Sequence, residues 1–161
     1  MSIKPLLDQY ADYDLWANTR CVQRLQRESA EVLDRPVPNS FPSLRATMLH
    51  IRDAENAWYC RITGSKPAWP AEADASIDGL LKYSVRLRDL VHRMDDAALV
   101  QELSYQDLRG NTHSQKAWMM LMHCFNHSTQ HRGQVITLMR ALGLEEIPGN
   151  DLVLFQRTLT T

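Results

Sequence analysis

The sequence lacks the long apolar segment and the leader pattern that are typical of membrane-inserted and exported proteins. No apolar run among its 161 residues approaches the roughly 18 that are needed to span a bilayer. The first residues, MSIKPLLDQYADYD, do not place an apolar region after a basic one, and they turn acidic early. We therefore expect a cytoplasmic protein with no membrane partner.

Cysteine is scarce as well, and its spacing excludes a disulfide framework. The three cysteines, Cys21, Cys60 and Cys124, are far apart in sequence and form no CxxC pair. Each lies in a segment that we predict to be helical. Free, buried thiols are the interpretation that this pattern favours.

An excess of charge of one sign is also missing. The 18 Lys and Arg residues nearly balance the 19 Asp and Glu residues, which gives a net charge of -1, and the two signs are interspersed. Proteins that bind nucleic acid usually carry a basic patch or stripe. We therefore expect no nucleic-acid partner.

Apolar residues at helical spacing are what the sequence does contain. Their periodicity predicts four long helices, over about 6–28, 43–63, 76–94 and 116–140. Two proline-rich tracts, 34–42 and 66–75, interrupt the pattern and predict connections. Ser43 suits the N-cap of the second helix, and Gly64 suits its end. The length fits a single domain that covers 1–161.

One segment, 99–114, departs from the helical pattern and predicts a small insert. Its residues ELSYQ alternate in polarity, and Arg109, Gly110 and Asn111 form a turn signal before a return strand. The apolar tail at 152–155 is expected to cap the fold. The predicted fold class is all-α, a four-helix bundle of the up-down-down-up type with a small hairpin before the last long helix.

The last predicted helix carries three histidines spaced four residues apart. Because residues four apart share a helix face, His127 and His131 can direct both imidazoles to one point within an apolar stripe. An unpaired polar group buried there costs roughly 1–3 kcal/mol. A divalent metal would satisfy both rings, although histidines with hydrogen-bond partners in the core give the same pattern. His50 offers a third ligand from another helix, as in open catalytic zinc sites.

Two neighbours of these histidines are alternative ligands. His123 is rotated by about 40° from His127 on the helix, which favours a supporting or core position. Cys124 lies about 60° away, which favours an inert core thiol. Asn126, Gln130 and Gln134 on the same helix are candidates for hydrogen bonds to a ligand or a substrate.

Other residues near the histidines have structural interpretations. Arg132 is expected to pair with an acidic residue of a neighbouring helix. Gly133 costs about 1 kcal/mol relative to alanine inside a helix, so we expect a close approach of other atoms there. Asp53 and Glu55 do not share a helix face with His50. The sequence therefore assigns no general base and no catalytic residue.

The motif HCFNHSTQHRGQV, with the separate segments LHIRDAENAWY and YADYDLWAN, resembles the DinB-like family of bacterial four-helix bundles. That family is named for DNA-damage inducibility, and it includes YfiT-like proteins and thiol S-transferases for bacillithiol and mycothiol. The resemblance covers nearly the whole chain. It implies a divalent metal, zinc or nickel, held by His50, His127 and His131. It also implies a homodimer.

Two functions follow from these expectations. The first is a metal-dependent enzyme, either thiol S-transferase-like or hydrolase-like, with an open three-histidine site, a small-molecule substrate and a low-molecular-weight thiol as a co-substrate. The alternative is a non-catalytic, metal-stabilised module for binding or the stress response. That module requires a fourth protein ligand, for which His123 and Cys124 are candidates.

Overall fold

The computed structural model describes residues 2–160. Its helices and strands run, in chain order, α1 Lys4–Leu25, α2 Ala30–Asp34, α3 Leu44–Ile62, α4 Gly79–Arg93, α5 Asp96–Val100, β1 Glu102–Gln106, β2 Thr112–Lys116, α6 Ala117–Ala141 and α7 Leu152–Thr158. The four long helices α1, α3, α4 and α6 form the bundle. The predicted all-α four-helix bundle is confirmed.

Local side-chain chemistry explains where α3 begins and ends. The hydroxyl of Ser43 accepts a hydrogen bond from the backbone N–H of Ala46 at 3.2 Å, as an N-cap residue does. After the helix, Gly64 adopts a φ of 71°, which a residue without a Cβ reaches at little cost. Both boundaries agree with those predicted from the sequence.

Other helix boundaries differ from the prediction. Helix α1 ends at Leu25 rather than at residue 28, and α4 begins at Gly79 rather than at residue 76. The short helices α2 and α5 were not predicted, because five residues are too few to show a helical period. Both have a side-chain N-cap, Ser29 for α2 and Asp95 for α5.

Helices α1 and α4 are antiparallel neighbours. Near the start of α1, Asp12 lies 2.9 Å from His92 at the end of α4. Just after α1, the amide of Gln26 donates to Asp78 at the start of α4, also at 2.9 Å. Contacts that run in opposite sequence directions require opposite helix directions.

Helices α3 and α4 are instead parallel. Glu55 lies 2.7 Å from Ser84. Four residues later in α3 and two residues later in α4, the guanidinium of Arg86 lies 3.7 Å from the ring centroid of Tyr59. Each of α1 and α3 packs against α4 and α6, so that α1 and α3 lie diagonally across the bundle.

Helix α6 completes the arrangement. Its residue His123 contacts Trp58 of α3, whereas the later His131 contacts the earlier His50, so α6 and α3 are antiparallel. With α1 up, the directions of α1, α3, α4 and α6 are up, down, down and up. The predicted order of helix directions is confirmed.

Because α3 and α4 are parallel, the connection 63–78 must return along the length of α3. Side-chain hydrogen bonds fasten it to that helix. Among them, Asp53 accepts from the backbone N–H of Ala71 at 2.9 Å, Arg52 donates to the carbonyl of Asp74 at 2.5 Å, and Asn56 donates to the carbonyl of Ala68 at 3.4 Å.

The predicted hairpin is present as the antiparallel pair β1 and β2, with Glu102 opposite Lys116. Its turn places Gly110 at a φ of 85°, and the carboxylate of Asp107 accepts from the backbone N–H groups of Arg109 and Asn111. The hairpin lies against the C-terminal half of α3.

The core consists of three apolar clusters with a buried polar layer between the helices. The polar side chains of this layer are Asp14, Asn18, Glu55, Ser84, Ser128 and Arg132. Cys21, Cys60 and Cys124 are buried and free, as predicted. Within residues 2–160, no helix has both the length and the apolar character to cross a membrane.

The expectation of a close approach at Gly133 is wrong. A Cβ built on this glycine would meet no atom within 4 Å. The residue borders a cavity of about 660 Å³ between α1, α6 and the segment 147–152. This cavity involves the side of α6 that carries Asn126, Thr129 and Thr137, whereas the histidines face α3.

Candidate metal centre

Three histidines from two helices meet beside the N-terminal half of α3. The ring nitrogens of His50, His127 and His131 all lie within 4.8 Å of one another. Nε2 of His50 is 2.9 Å from Nε2 of His127. The ring centroid of His131 lies 4.6 Å from that of His50 and 4.3 Å from that of His127. These are the three residues that the sequence analysis singled out.

The two helices explain this convergence. His127 and His131 are one helical turn apart on α6, so their rings lie one above the other. His50 is in the second turn of α3, and the antiparallel packing of α3 on α6 brings it opposite them. His131 is buried, while His50 and His127 are half-buried.

A chain of two polar side chains orients the ring of His131. Nδ1 of His131 lies 2.7 Å from Oε1 of Gln134, and the amide nitrogen of Gln134 donates to the hydroxyl of Ser40 at 2.9 Å. An amide oxygen can only accept, so Nδ1 of His131 carries the hydrogen. Its Nε2 therefore keeps a free lone pair for a ligand. The sequence analysis had named Gln134 as a candidate for such a contact.

The donor set fits a divalent metal ion. Nitrogen ligands at 2.0–2.1 Å from a tetrahedral zinc are roughly 3.4 Å apart, and the separations given above lie on either side of that distance. Nδ1 of His127 is buried without a hydrogen-bond partner, while its Nε2 faces His50. When neither Nε2 carries a hydrogen, the lone pairs of these two facing nitrogens repel each other. A cation bound by both nitrogens removes that repulsion.

The pKa values of the half-buried histidines favour the neutral form that metal binding needs. Burial, and next the neighbouring His131, lower the pKa of His127 to about 3. The same two causes lower the pKa of His50 to about 4, against a smaller opposing effect of Asp53. Both rings are therefore unprotonated at neutral pH, which is the state that binds a metal.

Aromatic residues from the two proline-rich connections cover the histidines. The ring of Phe41 stacks on His50, with centroids 4.0 Å apart, and lies 5.5 Å from His131. The ring of Trp69 meets His50 edge-on at 5.9 Å. The sequence analysis missed both residues. The signal that it passed over is an aromatic residue directly before a proline, in each loop that flanks α3.

Neither alternative ligand joins the cluster. His123 is exposed, its ring centroid lies 6.2 Å from that of His127, and it packs against Trp58 at 4.8 Å. The expectation that His123 lies in the core is wrong. Cys124 is fully buried, and burial raises the pKa of its thiol well above the usual value. It is a core thiol, as predicted.

The carboxylates nearest to His50 in sequence have other partners. Asp53 Oδ1 accepts from Nε of Arg52 and from the backbone N–H of Ala71, both at 2.9 Å. Glu55 accepts from the amide of Asn18 at 2.7 Å in the polar layer. Among residues 2–160, no carboxylate shares the three-histidine cluster.

The polar layer contains one predicted ion pair and one residue that was missed. Arg132 donates to Asp14 at 2.5 Å and to Asn18 at 2.9 Å, which confirms that it pairs with a neighbouring helix. Glu55 is fully buried, and burial, followed by the charge of Asp14, raises its pKa well above the usual value. A glutamate in a helix usually faces solvent, so the apolar pattern did not indicate this position.

The chain is thus an up-down-down-up four-helix bundle with a candidate metal site, three histidines clustered between its second and fourth long helices. The model of the DinB family matches residues 1–158, and the chain belongs to the DinB family. It is 21% identical over 148 residues to Protein DinB from Bacillus subtilis (strain 168), with 85% of this chain and 86% of that protein covered.

A solved structure has the same fold. It is YfiT from Bacillus subtilis, described as a probable metal-dependent hydrolase with an unusual four-helix bundle topology. The TM-score is 0.65 at 16% sequence identity, and the match covers 86% of this chain and 89% of that one. At this identity the comparison supports the fold alone.

Proposed function

We propose that this protein is a metal-dependent enzyme in which His50, His127 and His131 hold one divalent cation at an open site. The observation that carries the proposal is the convergence of three imidazoles, with no fourth protein ligand among the described residues. Three protein ligands and a free position are typical of catalytic sites, whereas structural sites are closed by four. Zinc and nickel are the cations that an imidazole set suits.

The protein residues around the cluster have separable roles. Gln134 holds the His131 ring so that its Nε2 faces the cluster. Phe41 and Trp69 form an apolar wall beside His50 that limits the access of water. When bound, a divalent cation supplies Lewis acidity and lowers the pKa of a water or thiol at its open position.

Two reaction types are compatible with this arrangement. Hydrolysis of a small molecule is supported by the fold shared with YfiT, which is described as a probable metal-dependent hydrolase. Transfer of a low-molecular-weight thiol is supported by membership of the DinB family. It is also supported by the fact that Asp53 and Glu55 have other partners, because a coordinated thiol needs no separate general base once it has lost its proton.

The metal proposal is tested by elemental analysis of untagged protein. We expect about one divalent ion per chain in the wild type, as three-ligand sites hold, and a loss of that ion in both His50→Ala and His127→Ala. The matched control is His123→Ala, which removes an imidazole from the next turn of α6. It should keep the ion. No stoichiometric metal in any reconstituted preparation would refute the proposal.

The reaction is tested on metal-loaded protein with two substrate panels. One panel combines low-molecular-weight thiols with electrophiles, and the other contains esters and amides. Turnover that depends on His50 and His127 in one panel assigns the reaction type. A metal-loaded protein that is inactive in both, and that loses most of its thermal stability on chelation, would instead support the non-catalytic module.

A further inference from the structure

A pocket of about 400 Å³ lies between the C-terminal end of α3 and the β1–β2 hairpin. Its wall contains two cations, Arg61 and Lys66, and the hydroxyls of Ser65, Ser104 and Thr112. No aspartate or glutamate lines it, although the chain as a whole carries slightly more acidic than basic residues. The pocket therefore concentrates positive charge and hydrogen-bond donors.

Arg61 is held rigidly but has no anionic partner. Its Cζ lies 4.5 Å from the ring centroid of Trp58 and 5.2 Å from that of Tyr105, so two aromatic faces fix the guanidinium. Its Nε is buried and has no hydrogen-bond partner. Burial, the largest influence on it, lowers the pKa of Arg61.

The nearest acidic group is occupied elsewhere. Asp107 raises the pKa of Arg61 by its charge, but its carboxylate accepts hydrogen bonds from Arg109, Asn111 and His113 within the hairpin. The carboxylate is thus fixed in its own turn and does not reach Arg61 as an ion-pair partner.

The hydrogen-bond partners of the other arginines differ from those of Arg61. Within residues 2–160, every other arginine that is buried or half-buried donates a hydrogen bond to a carboxylate or a carbonyl oxygen; these are Arg20, Arg24, Arg45, Arg52, Arg88 and Arg132. Arg61 is the exception. A half-buried cation that lacks an internal anion is suited to an external one.

Aromatic contacts connect this pocket to the three histidines. Trp58, which stacks on Arg61, also contacts His123 at 4.8 Å, and His123 lies 6.2 Å from His127. His50 and Arg61 are eleven positions apart on α3, which corresponds to roughly 16 Å along the helix axis. The arginine side chain leans towards the N-terminus and shortens this distance.

We propose that this pocket is an oxyanion subsite, in which Arg61 and Lys66 bind a carboxylate or phosphate group at the far end of the substrate. The reactive end of the substrate lies at the three histidines. This link to the histidines rests on the proposed function, whereas binding of the anion itself does not need the metal. The substrate class is an elongated anion on the order of 15 Å long, as the helix rise indicates.

Nuclear magnetic resonance of the arginine Nε–H groups tests the subsite directly. Inorganic phosphate and succinate are titrated separately into the protein, against sodium chloride at the same ionic strength. We expect a saturable shift of the Arg61 signal, which is assigned by its disappearance in Arg61→Gln. The probe that binds more tightly identifies a phosphate or a carboxylate as the preferred group.

The matched control is Arg86→Gln. Arg86 is exposed and stacks on Tyr59 outside the pocket, so this variant loses the same charge from a similarly stacked arginine. Binding of the probe should weaken at least about tenfold in Lys66→Gln, a factor that removal of one charged contact typically gives, and should be unchanged in Arg86→Gln. No saturable shift with either probe, or equal weakening in both variants, overturns the proposal.

The same titration with His127→Ala separates this proposal from the proposed function. If this variant loses its metal but still binds phosphate or succinate at Arg61, the anion subsite exists independently of the metal site. The link between the two sites is tested on cobalt-loaded protein with ω-mercaptoalkanoates and mercaptoalkanols of equal length. The acids should bind more tightly once the chain is long enough to reach from the histidines to Arg61, and Arg61→Gln should remove that advantage. If the acids bind no more tightly than the alcohols at any chain length, the proposed link between the two sites is overturned.

Discussion

His131 owes its orientation to a contact outside the cluster. The hydrogen bond from its Nδ1 to Gln134 selects the tautomer that presents Nε2, and Ser40 in turn fixes the amide of Gln134. The site therefore includes a residue of the loop before α3 that has no contact with the ligand position itself. A supporting contact of this kind affects metal affinity without changing the ligand set.

Replacement of Gln134 by Ala is expected to weaken metal binding by about 10–100-fold, the usual effect of losing such a supporting contact. All three histidines remain in this variant. Competition with a chromogenic chelator measures the affinity. Gln130→Ala is the matched control, because Gln130 is an exposed glutamine on the same helix, and it should bind like the wild type. Equal affinity of all three proteins would mean that Gln134 does not orient His131.

Glu55 sets a second residue-scale property, the pH dependence of stability. Ser84 Oγ lies 2.7 Å from its Oε2, and Asn18 donates to its Oε1. A protonated Glu55 can donate to Ser84, whose own hydroxyl then donates to the carbonyl of Leu80 at 3.2 Å. The layer is thus satisfied when Glu55 is neutral and Asp14 keeps the charge that pairs with Arg132.

The folded-state pKa of Glu55 is raised well above its usual 4.5, so folding favours its protonated form. Its stabilising contribution is complete below pH 4.5 and is lost as the pH rises towards the folded-state pKa, by at most about 1.4 kcal/mol per pH unit. Glu55→Gln removes this loss. Urea denaturation at pH 5 and pH 8 measures the free energy of unfolding. Relative to the wild type, the variant should be more stable at pH 8 than at pH 5.

Glu31→Gln controls for a general charge effect in that experiment, because Glu31 is exposed on α2. It should follow the pH dependence of the wild type. A Glu55→Gln protein that is destabilised by the same amount at both pH values would show that Glu55 is ionised in the folded state.

At the scale of helices, Gly133 lowers the stability of α6, and no neighbouring atom requires a glycine at this position. It is helical, and a methyl group on it would meet no atom within 4 Å. Gly133→Ala should therefore stabilise the protein by up to about 1 kcal/mol. Gly64→Ala is the contrasting change, since the φ of 71° at Gly64 disfavours any Cβ, and it should destabilise. Thermal or urea denaturation checks both, and a destabilised Gly133→Ala protein would contradict the open space seen there.

The helices that carry the site were the ones most open to prediction from the sequence. Helices α3 and α6 are long, and Ser43 and Gly64 mark the ends of α3, so the bounds of both helices agreed with the prediction to within one residue. The spacing of His127 and His131 followed from helix geometry alone. His50 was named as a third ligand from another helix, the family resemblance implied the same set, and the structure brings all three together.

The parts that could not be predicted depend on tertiary contacts. Phe41 and Trp69 reach the histidines through loops, whose paths no periodic pattern specifies. Glu55 is buried because Asn18 and Ser84 from two other helices meet it. The subsite at Arg61 likewise depends on the hairpin, which brings Tyr105 over the end of α3.

At the scale of the whole molecule, a bound cation would join helices that are distant in sequence. His50 and His127 are 77 positions apart, and they belong to α3 and α6, which form one side of the bundle. A ligand that binds only the folded state stabilises it in proportion to the logarithm of its concentration. Both halves of the chain must be folded together for the cation to bind.

Zinc or nickel at 100 times its Kd should therefore stabilise the folded protein by about 2.7 kcal/mol. For a chain of this length, that corresponds to an increase in Tm of roughly 5–10 °C. Differential scanning calorimetry of metal-free and metal-loaded protein measures the shift, and a chelator should reverse it. His127→Ala should show no shift. An equal shift in that variant would place the cation elsewhere.

The parallel pair α3 and α4 also has a consequence for how the family can diversify. The crossover 63–78 has to travel about 28 Å, the length of the 19-residue helix α3, and on the way it delivers Trp69 to the histidines. Lengthening a surface loop costs little stability. Insertions and substitutions in this crossover can therefore reshape the access route to the histidines over evolutionary time, while the bundle and its ligand positions stay constant.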